Sequence, residues 1–232
     1  MGIKDDLAND VGNIFRSPWE VIAKTSLPIA TDLQLGNHAG HFDKMTVLSA
    51  DLNGSTAMVD SLHWGTSAEV YKAYLHCAAK LIKDEEGTIT AYDGDRIMAV
   101  FIGNSKNSSA VRCALKINTL VNDVINPAFN ATHIWDNFTV RHTIGIDTSE
   151  IHAARIGVKN DNHIVWVGRA ANHAAKLTTL PDHPIWISHE VYDNMHESLK
   201  IYLNTRLPAW EARLWTAMNN RLIYRTAAQW NF

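Results

Sequence analysis

The chain has few cysteines, no long apolar run and no large excess of charge of one sign. No apolar stretch approaches the roughly 20 residues that a membrane-spanning helix requires. The two cysteines, Cys77 and Cys113, fall inside helix-like patterns, where a packing role is expected and a disulfide is not. Lysine plus arginine total 21 and aspartate plus glutamate 24, a formal net charge of −3. These features argue against a membrane span, a disulfide-stabilised scaffold and a surface that binds nucleic acid.

The N-terminus and the histidines carry little further signal. The chain opens with Lys4, Asp5 and Asp6 instead of a basic segment followed by an apolar one, so we expect no signal peptide and a reducing, cytoplasmic location. Twelve histidines are scattered along the chain. Only His38 and His41 lie within one turn of each other, without the cysteine or carboxylate spacing typical of zinc, so no histidine metal site is predicted.

The length suits one domain with an elaboration, or two small domains. Residues 1–45 have weak periodicity, and we predict a short helix over 5–15 followed by extended chain, as an N-terminal extension. Residues 46–232 are predicted to form the main domain, because 232 residues can bury a sizeable core.

The stretch 46–56 organises the main domain. A short apolar run predicts a buried strand that delivers Asp51 to its end, and a turn of small residues follows at once. The backbone amides of such a turn can bind phosphate, because no large side chains cover them. The turn residues, which we regard as candidate nucleotide ligands, are Asn53, Gly54, Ser55 and Thr56. An ordinary strand-to-helix turn is the alternative.

A second stretch, 87–101, predicts a hairpin. Two apolar runs flank Asp93-Gly94, a dipeptide favoured in tight turns because both central residues can take positive φ, and Asp95 follows directly. If the strands are neighbours, Asp51 and Asp95 converge into an oxygen-ligand site for Mg²⁺ or Mn²⁺ carrying a polyphosphate. The alternative is that Asp51 caps a turn and that Asp95 lies in water.

The remaining periodicity predicts an α+β sandwich. A capping-box pattern at 66–69 begins a helix that Gly87 ends, and a second helix runs from about 107 to Pro127. Residues 138–147 alternate with period two, which indicates a strand with one buried face, on which His142 is expected to be a core histidine with its hydrogen bonds satisfied. Further predicted elements are strands over 164–167, 185–187 and 222–226 and a helix over 169–179. This order suits a central, mostly antiparallel sheet flanked by helices.

Three ordered motifs between residues 45 and 180 resemble the catalytic domain of class III nucleotide cyclases. Residues 50–56 read Ala-Asp-Leu-Asn-Gly-Ser-Thr, residues 94–101 read Gly-Asp-Arg-Ile-Met-Ala-Val-Phe, and residues 166–177 lead through Gly168 to Asn172 and Lys176. The resemblance implies a ferredoxin-like core and two ions, Mn²⁺ or Mg²⁺, held by Asp51, Asp95 and the Leu52 carbonyl. It also implies a homodimer with its active sites at the interface.

The resemblance assigns transition-state residues as well. Asn172 matches the asparagine of the family. Lys176 stands where the family has arginine, so a single ammonium charge replaces a planar guanidinium group that can donate two parallel hydrogen bonds. Arg169 lies near enough in sequence to share that role, and a solvent-exposed arginine at a helix start is the alternative.

The positions that read the base differ from those of adenylyl cyclases. Ala91 and Val165 stand where adenylyl cyclases have a lysine and an aspartate, and Ser49 stands where an aromatic residue is common. Trp166 has the bulk to fill the space of a purine, although a core tryptophan is equally compatible with the sequence. With these departures the chain resembles the pyrimidine cyclases of the Pycsar antiphage systems. Those enzymes make cyclic UMP or cyclic CMP, which a separate cyclic-nucleotide-binding effector recognises.

The resemblance implies a cyclase that acts on UTP or CTP, with UTP favoured. Two alternatives remain: an adenylyl or guanylyl cyclase with an unusual base pocket, and a degenerate domain that binds nucleotide without turnover.

Overall fold

The structure, a computed structural model, describes residues 2–230, which divide into two compact units. The first comprises residues 2–44 together with 149–169, and the second comprises 45–148 together with 170–230. The N-terminal segment therefore packs with a later stretch of the chain, which the sequence did not indicate. Among the described residues, no helix is both long and apolar enough to cross a bilayer.

The strands and helices have the following bounds. The strands are β1 (Glu20–Ala23), β2 (His38–Leu52), β3 (Thr88–Asp93), β4 (Arg96–Phe101), β5 (His142–Val158), β6 (Asp161–Val167), β7 (Ile185–Ser188), β8 (Glu211–Trp215) and β9 (Arg221–Thr226). The helices are α1 (Ile3–Arg16), α2 (Ser55–Ser61), α3 (Trp64–Asp84), α4 (Lys106–Leu120), α5 (Asn126–Thr132), α6 (Arg169–Leu177) and α7 (His189–Asn194). A π-helical segment, Val121–Ile125, joins α4 to α5.

The strands form a mixed, mostly antiparallel sheet. Its order is β3-β4-β2-β5-β7-β9-β8, with β1 on β2 and β6 on β5. The pairs β2–β4, β3–β4, β5–β6, β7–β9 and β8–β9 are antiparallel, whereas β1–β2 and β5–β7 are parallel. The predicted α+β fold is confirmed.

One face of the sheet in the second unit is covered by α3 and α4. Helix α3 buries a stripe at i, i+4 spacing, and its Tyr74 and Ile82 pack with Leu48 of β2 and Ile97 of β4 in one apolar cluster. Alternate residues of β2 lie on this face, so Asp51 lies on the opposite one.

Helix α6 approaches the sheet closely at β5. A Cβ atom at Gly145 would lie 2.1 Å from the carbonyl oxygen of Ala174 and 2.6 Å from the Cβ of Leu177. Leu177 also joins Trp186, Trp215 and Ile223 in a second apolar cluster. The absence of a side chain at residue 145 therefore fixes the depth at which α6 lies.

Two helix boundaries differ from the predicted ones. Helix α3 begins at Trp64, where the side chain of His63 accepts the amide N–H of Gly65, so the predicted capping box at 66–69 is wrong. The expected stop at Pro127 is also wrong, because that proline lies in the first turn of α5, where its missing N–H has no helical partner to lose.

Strand β5 is buried on both faces instead of one. Every residue from His142 to Thr148 is buried, because helices pack on either side of the sheet. His142 is a core residue, as expected, but its hydrogen bonds are not all satisfied: its Nε2 has no partner among residues 2–230, and burial lowers its pKa to about 4. The imidazole is therefore neutral at physiological pH.

A methyl group at Gly145 tests the packing of α6. Gly145→Ala places a carbon against the Ala174 carbonyl oxygen, and we expect the free energy of unfolding to fall by about 1–3 kcal/mol, the usual cost of overpacking. Urea denaturation measures the change. Gly2→Ala is the control, since no heavy atom lies within 4 Å of a Cβ there. Equal midpoints for the two variants would contradict the close contact.

Candidate active site

Antiparallel pairing of β2 and β4 brings two acidic residues together. Asp51, at the end of β2, lies opposite Arg96, the first residue of β4, and Asp95 directly precedes Arg96 in the hairpin turn. The central turn residues are Gly94 and Asp95, and only Gly94, with φ of +60°, takes a positive φ, so the predicted Asp93-Gly94 centre is wrong. The turn still places the carboxyl group of Asp95 close enough to that of Asp51 to change its ionisation.

Arg96 balances the charge of this acidic pair. Its Nη2 donates a hydrogen bond of 2.9 Å to Oδ2 of Asp51. Burial is the main cause that raises the pKa of Asp51; Arg96 lowers it, and the charge and hydrogen bonding of Asp95 raise it further. The net effect is a raised pKa, which indicates a carboxyl pair that gains from a nearby cation. Correspondingly, the hydrogen bond to Asp51 raises the pKa of Arg96.

The donor chemistry of the acidic pair fits a divalent cation that prefers oxygen. Two carboxylates in reach of each other are typical ligands of Mg²⁺ and Mn²⁺. Asp51 retains 18% of its side-chain exposure, so its oxygens are reachable from solvent. The side chain of Leu52 is buried in the core, which fixes the backbone directly beside Asp51.

The turn after β2 is held in place by Asn53. The N–H of Asn53 donates to the carbonyl oxygen of Arg141 at 2.9 Å, and its side chain exchanges hydrogen bonds with the hydroxyl of Thr143 at 2.8 and 3.0 Å. Gly54 has φ of +72°, a conformation that suits glycine, and its Cα faces open space. Because the N–H of Asn53 is already used, the remaining candidate phosphate ligands are Gly54, Ser55 and Thr56, which are exposed or half-exposed residues.

Helix α6 presents its candidate catalytic residues to solvent. Asn172 and Lys176 are four residues apart and exposed, whereas His173 and Leu177 are buried beneath them. His173 Nδ1 lies 3.2 Å from Oδ2 of the fully buried Asp147, and this pair anchors the helix. Arg169 begins the helix and is half-buried.

A single chain does not join the two sets of predicted residues. In the described part of the chain, neither Asn172 nor Lys176 forms a hydrogen bond or ion pair with Asp51 or Asp95. The contact that Lys176 does make is from its Nζ to the sulfur of Met218, at 3.8 Å.

The candidate base-pocket residues fall in both units. In the second unit, Ser49 and Ala91 both lie opposite Met98, so they form one row across β2, β4 and β3. The hydroxyl of Ser49 is buried and has no hydrogen-bond partner among the described residues. Ala91 is exposed.

The other two base-pocket candidates lie on β6 in the first unit. Val165 pairs with Ala154, and Trp166 pairs with Ala153. Trp166 is buried, with its ring 6.4 Å from that of Phe42. These contacts give the tryptophan a packing role within its own unit.

Two residues near the acidic pair were not singled out from the sequence. The sequence signal for Arg96 is its place directly after Asp95. Tyr74 is fully buried on α3, and its hydroxyl has no partner in residues 2–230. Burial raises the pKa of Tyr74, and the charges of Asp51 and Asp95 raise it further. Its place in the apolar stripe of α3 makes it indistinguishable from a core residue in the sequence.

Comparison with known proteins yields both close relatives and structural neighbours. No model of a protein family matches the chain. A uridylate cyclase of Burkholderia cepacia is 51% identical over 219 residues, which cover 94% of each chain. A uridylate cyclase of Xanthomonas perforans is 42% identical over 99% of each chain.

The fold of the chain is similar to that of a solved structure. The adenylyl cyclase CyaB from P. aeruginosa matches with a TM-score of 0.68 at 20% identity, covering 81% of this chain and 95% of that one. At this identity the match establishes the fold alone, and it agrees with the class III cyclase motifs around Asp51 and Asp95. Because half of its residues are shared with a relative over nearly the full length of both, the protein belongs to the uridylate cyclase family and has the class III nucleotide cyclase fold.

Proposed function

We propose that the protein converts UTP to 3′,5′-cyclic UMP and pyrophosphate at a site built on Asp51 and Asp95. The convergence of these two carboxyl groups beside the turn of small residues carries the proposal. The names of the relatives, uridylate cyclase at 51% and 42% identity, support the substrate.

In this reaction the ribose 3′-oxygen attacks the α-phosphorus of the same nucleotide. The bond between the α-phosphorus and the pyrophosphate oxygen breaks, and the 3′-hydroxyl loses its proton. Because attacker and target are parts of one molecule, the protein has mainly to fold the substrate and to neutralise its charge.

Asp51, Asp95 and the carbonyl group of Leu52 would hold two ions, Mn²⁺ or Mg²⁺. When bound, such ions offset the charge of the triphosphate and lower the pKa of the 3′-hydroxyl. Arg96, which donates to Oδ2 of Asp51, would help to balance the negative charge of the acidic pair.

The turn after β2 would receive the phosphates. The amides of Gly54, Ser55 and Thr56 are the candidate donors to the β- and γ-phosphates. Asn53 would hold the turn in place and not bind phosphate itself, because its amide and side chain already form hydrogen bonds with Arg141 and Thr143. A turn fixed in this way loses little conformational freedom on binding.

The transition-state residues would come from a second copy of the chain. Asn172 and Lys176 are exposed on α6 and make no contact with the acidic pair of their own chain, so we propose a homodimer with two equivalent shared sites. Lys176 would stabilise developing charge as a point cation, with Arg169 as a further candidate donor.

The base-pocket residues favour a pyrimidine. Neither Ala91 nor Val165 can make the polar contacts that read a purine edge, and the buried hydroxyl of Ser49 is a candidate partner for a pyrimidine. CTP is the alternative substrate of the same class.

The product would act as a second messenger in antiphage defence. This part of the proposal follows from the resemblance to the Pycsar cyclases, in which a separate protein with a cyclic-nucleotide-binding domain responds to cyclic UMP or cyclic CMP.

The substrate can be tested with each of the four ribonucleoside triphosphates and Mn²⁺. Because the pocket lacks charged purine-reading groups, we expect cyclic UMP to predominate, with pyrophosphate released in equal amount. Chromatography with mass spectrometry identifies the product. Predominant cyclic AMP or GMP would instead support a purine cyclase with an unusual pocket, and binding without any turnover would support a degenerate module.

Neutralising one member of the acidic pair tests the cation site. Asp95→Asn should lower the rate of cyclic UMP formation at least about a hundredfold, because it removes a charge that acts on the reacting groups. Asp93→Asn is the matched control: it removes a charge from the same hairpin, but Asp93 is exposed and is not among the groups that shift the pKa of Asp51. Similar losses in both variants would argue that hairpin stability, and not the cation site, is responsible.

Shared sites can be tested by mixing inactive subunits. An Asp51→Ala subunit and an Asn172→Ala subunit form one intact site per heterodimer, so purified heterodimers should regain about half of the wild-type rate. The two variants measured separately provide the baselines. A heterodimer no more active than its parents would contradict the shared arrangement.

A further inference from the structure

A cluster of two histidines and a glutamate lies in the first unit, apart from the residues assigned to nucleotide cyclisation. It consists of His41 on β2 and of Glu150 and His152 on β5, and the candidate ligand atoms all lie within 4.8 Å of one another. All three residues are on strands. Glu150 and His152 are two residues apart, so they share one face of β5.

The distances in the cluster are those of metal ligands. His41 Nε2 lies 2.9 Å and His152 Nε2 lies 3.9 Å from the same oxygen, Oε1 of Glu150. Tetrahedral zinc, with bonds of about 2.0–2.1 Å, separates its ligand atoms by roughly 3.3 Å. The two histidine–glutamate separations fall on either side of that value, and the ligand atoms of all three residues lie within 4.8 Å of one another.

The state of His41 points to a missing partner. Its Nε2 is shielded from solvent and forms no hydrogen bond with any residue in 2–230, although Oε1 of Glu150 lies 2.9 Å away. The two imidazole rings stack with their centroids 4.8 Å apart. A buried nitrogen without a partner costs free energy, and a metal ion would supply the partner.

The surroundings favour a positive ion. Glu150 brings one negative charge, and Asp43 Oδ1 lies 3.7 Å from Nδ1 of His41, on the far side of the ring from the cluster. At this distance Asp43 forms no hydrogen bond with the ring, but it adds negative charge close to the cluster.

We propose that His41, Glu150 and His152 form a binding site for Zn²⁺ or a similar borderline divalent ion. Imidazole nitrogens with one carboxylate suit zinc, whereas Mg²⁺ and Mn²⁺ prefer the all-oxygen set of Asp51 and Asp95. The three side chains leave a fourth position open to water or another ligand. The ion ties β2 to β5 within the first unit and does not take part in nucleotide cyclisation.

The site can be tested by calorimetric titration of the chelator-treated full chain with ZnCl₂. The titration uses an Asp51→Asn, Asp95→Asn background, which removes the other cation site and makes the result independent of the proposed function. We expect one Zn²⁺ per chain, with affinity lowered at least about tenfold by Glu150→Gln or His152→Gln. His163→Gln, an exposed histidine on β6 in the same unit, is the control and should bind as the background does.

Two outcomes would overturn the proposal: no zinc binding to the background protein, or the same affinity in all the variants. Circular dichroism checks that each variant is folded. If a variant is not folded, anomalous diffraction at the zinc edge from crystals of the unaltered chain decides the matter. A peak between His41, Glu150 and His152 supports the site, and no peak there rejects it.

Discussion

The site depends on one electrostatic constraint: two carboxyl groups that repel each other are held side by side at a strand end. Burial and the neighbouring Asp95 both raise the pKa of Asp51, and the Arg96 guanidinium opposes them through a hydrogen bond of 2.9 Å. This balance requires the register in which Asp51 faces Arg96. A slip of one residue would turn Asp51 toward the helix-covered core, where an unpaired carboxylate is costly.

Contacts within the second unit hold the turn after β2 and helix α6 in place, while the candidate catalytic residues on α6 remain exposed. Asn53 ties the turn after β2 to β5, and the close approach of Ala174 to Gly145 ties α6 to the same strand. One strand thus holds both the turn and the helix that carries Asn172. Asn172 and Lys176 are exposed and do not contact the acidic pair of their own chain, as the proposed site shared with a second subunit requires.

The sequence predicts well what local patterns determine. The strand that ends at Asp51 and the hairpin that carries Asp95 follow from apolar runs and turn residues, and the match to the class III motifs predicted the cyclase fold. Prediction failed where long-range packing decides. The periodicity of β5 suggested one buried face, but helices cover both, and Pro127 fits a helix start because a π-helical segment leads into it.

The histidines illustrate the same limit. His142 was expected to have its hydrogen bonds satisfied, yet its Nε2 is unpartnered within the described chain, since its surroundings come from elements far away in sequence. His41 lies more than a hundred positions from Glu150 and His152, so no spacing rule could have joined them. Such clusters arise from strand pairing, which single-sequence patterns do not specify.

The central claim is most directly tested by a crystal structure of the protein with Mn²⁺ and a UTP analogue that cannot cyclise. Anomalous scattering from manganese locates the ions without reference to the chemistry. We expect manganese bound by carboxylate oxygens of both Asp51 and Asp95. Manganese bound elsewhere, with neither carboxylate in contact with an ion beside the nucleotide, would contradict the proposal.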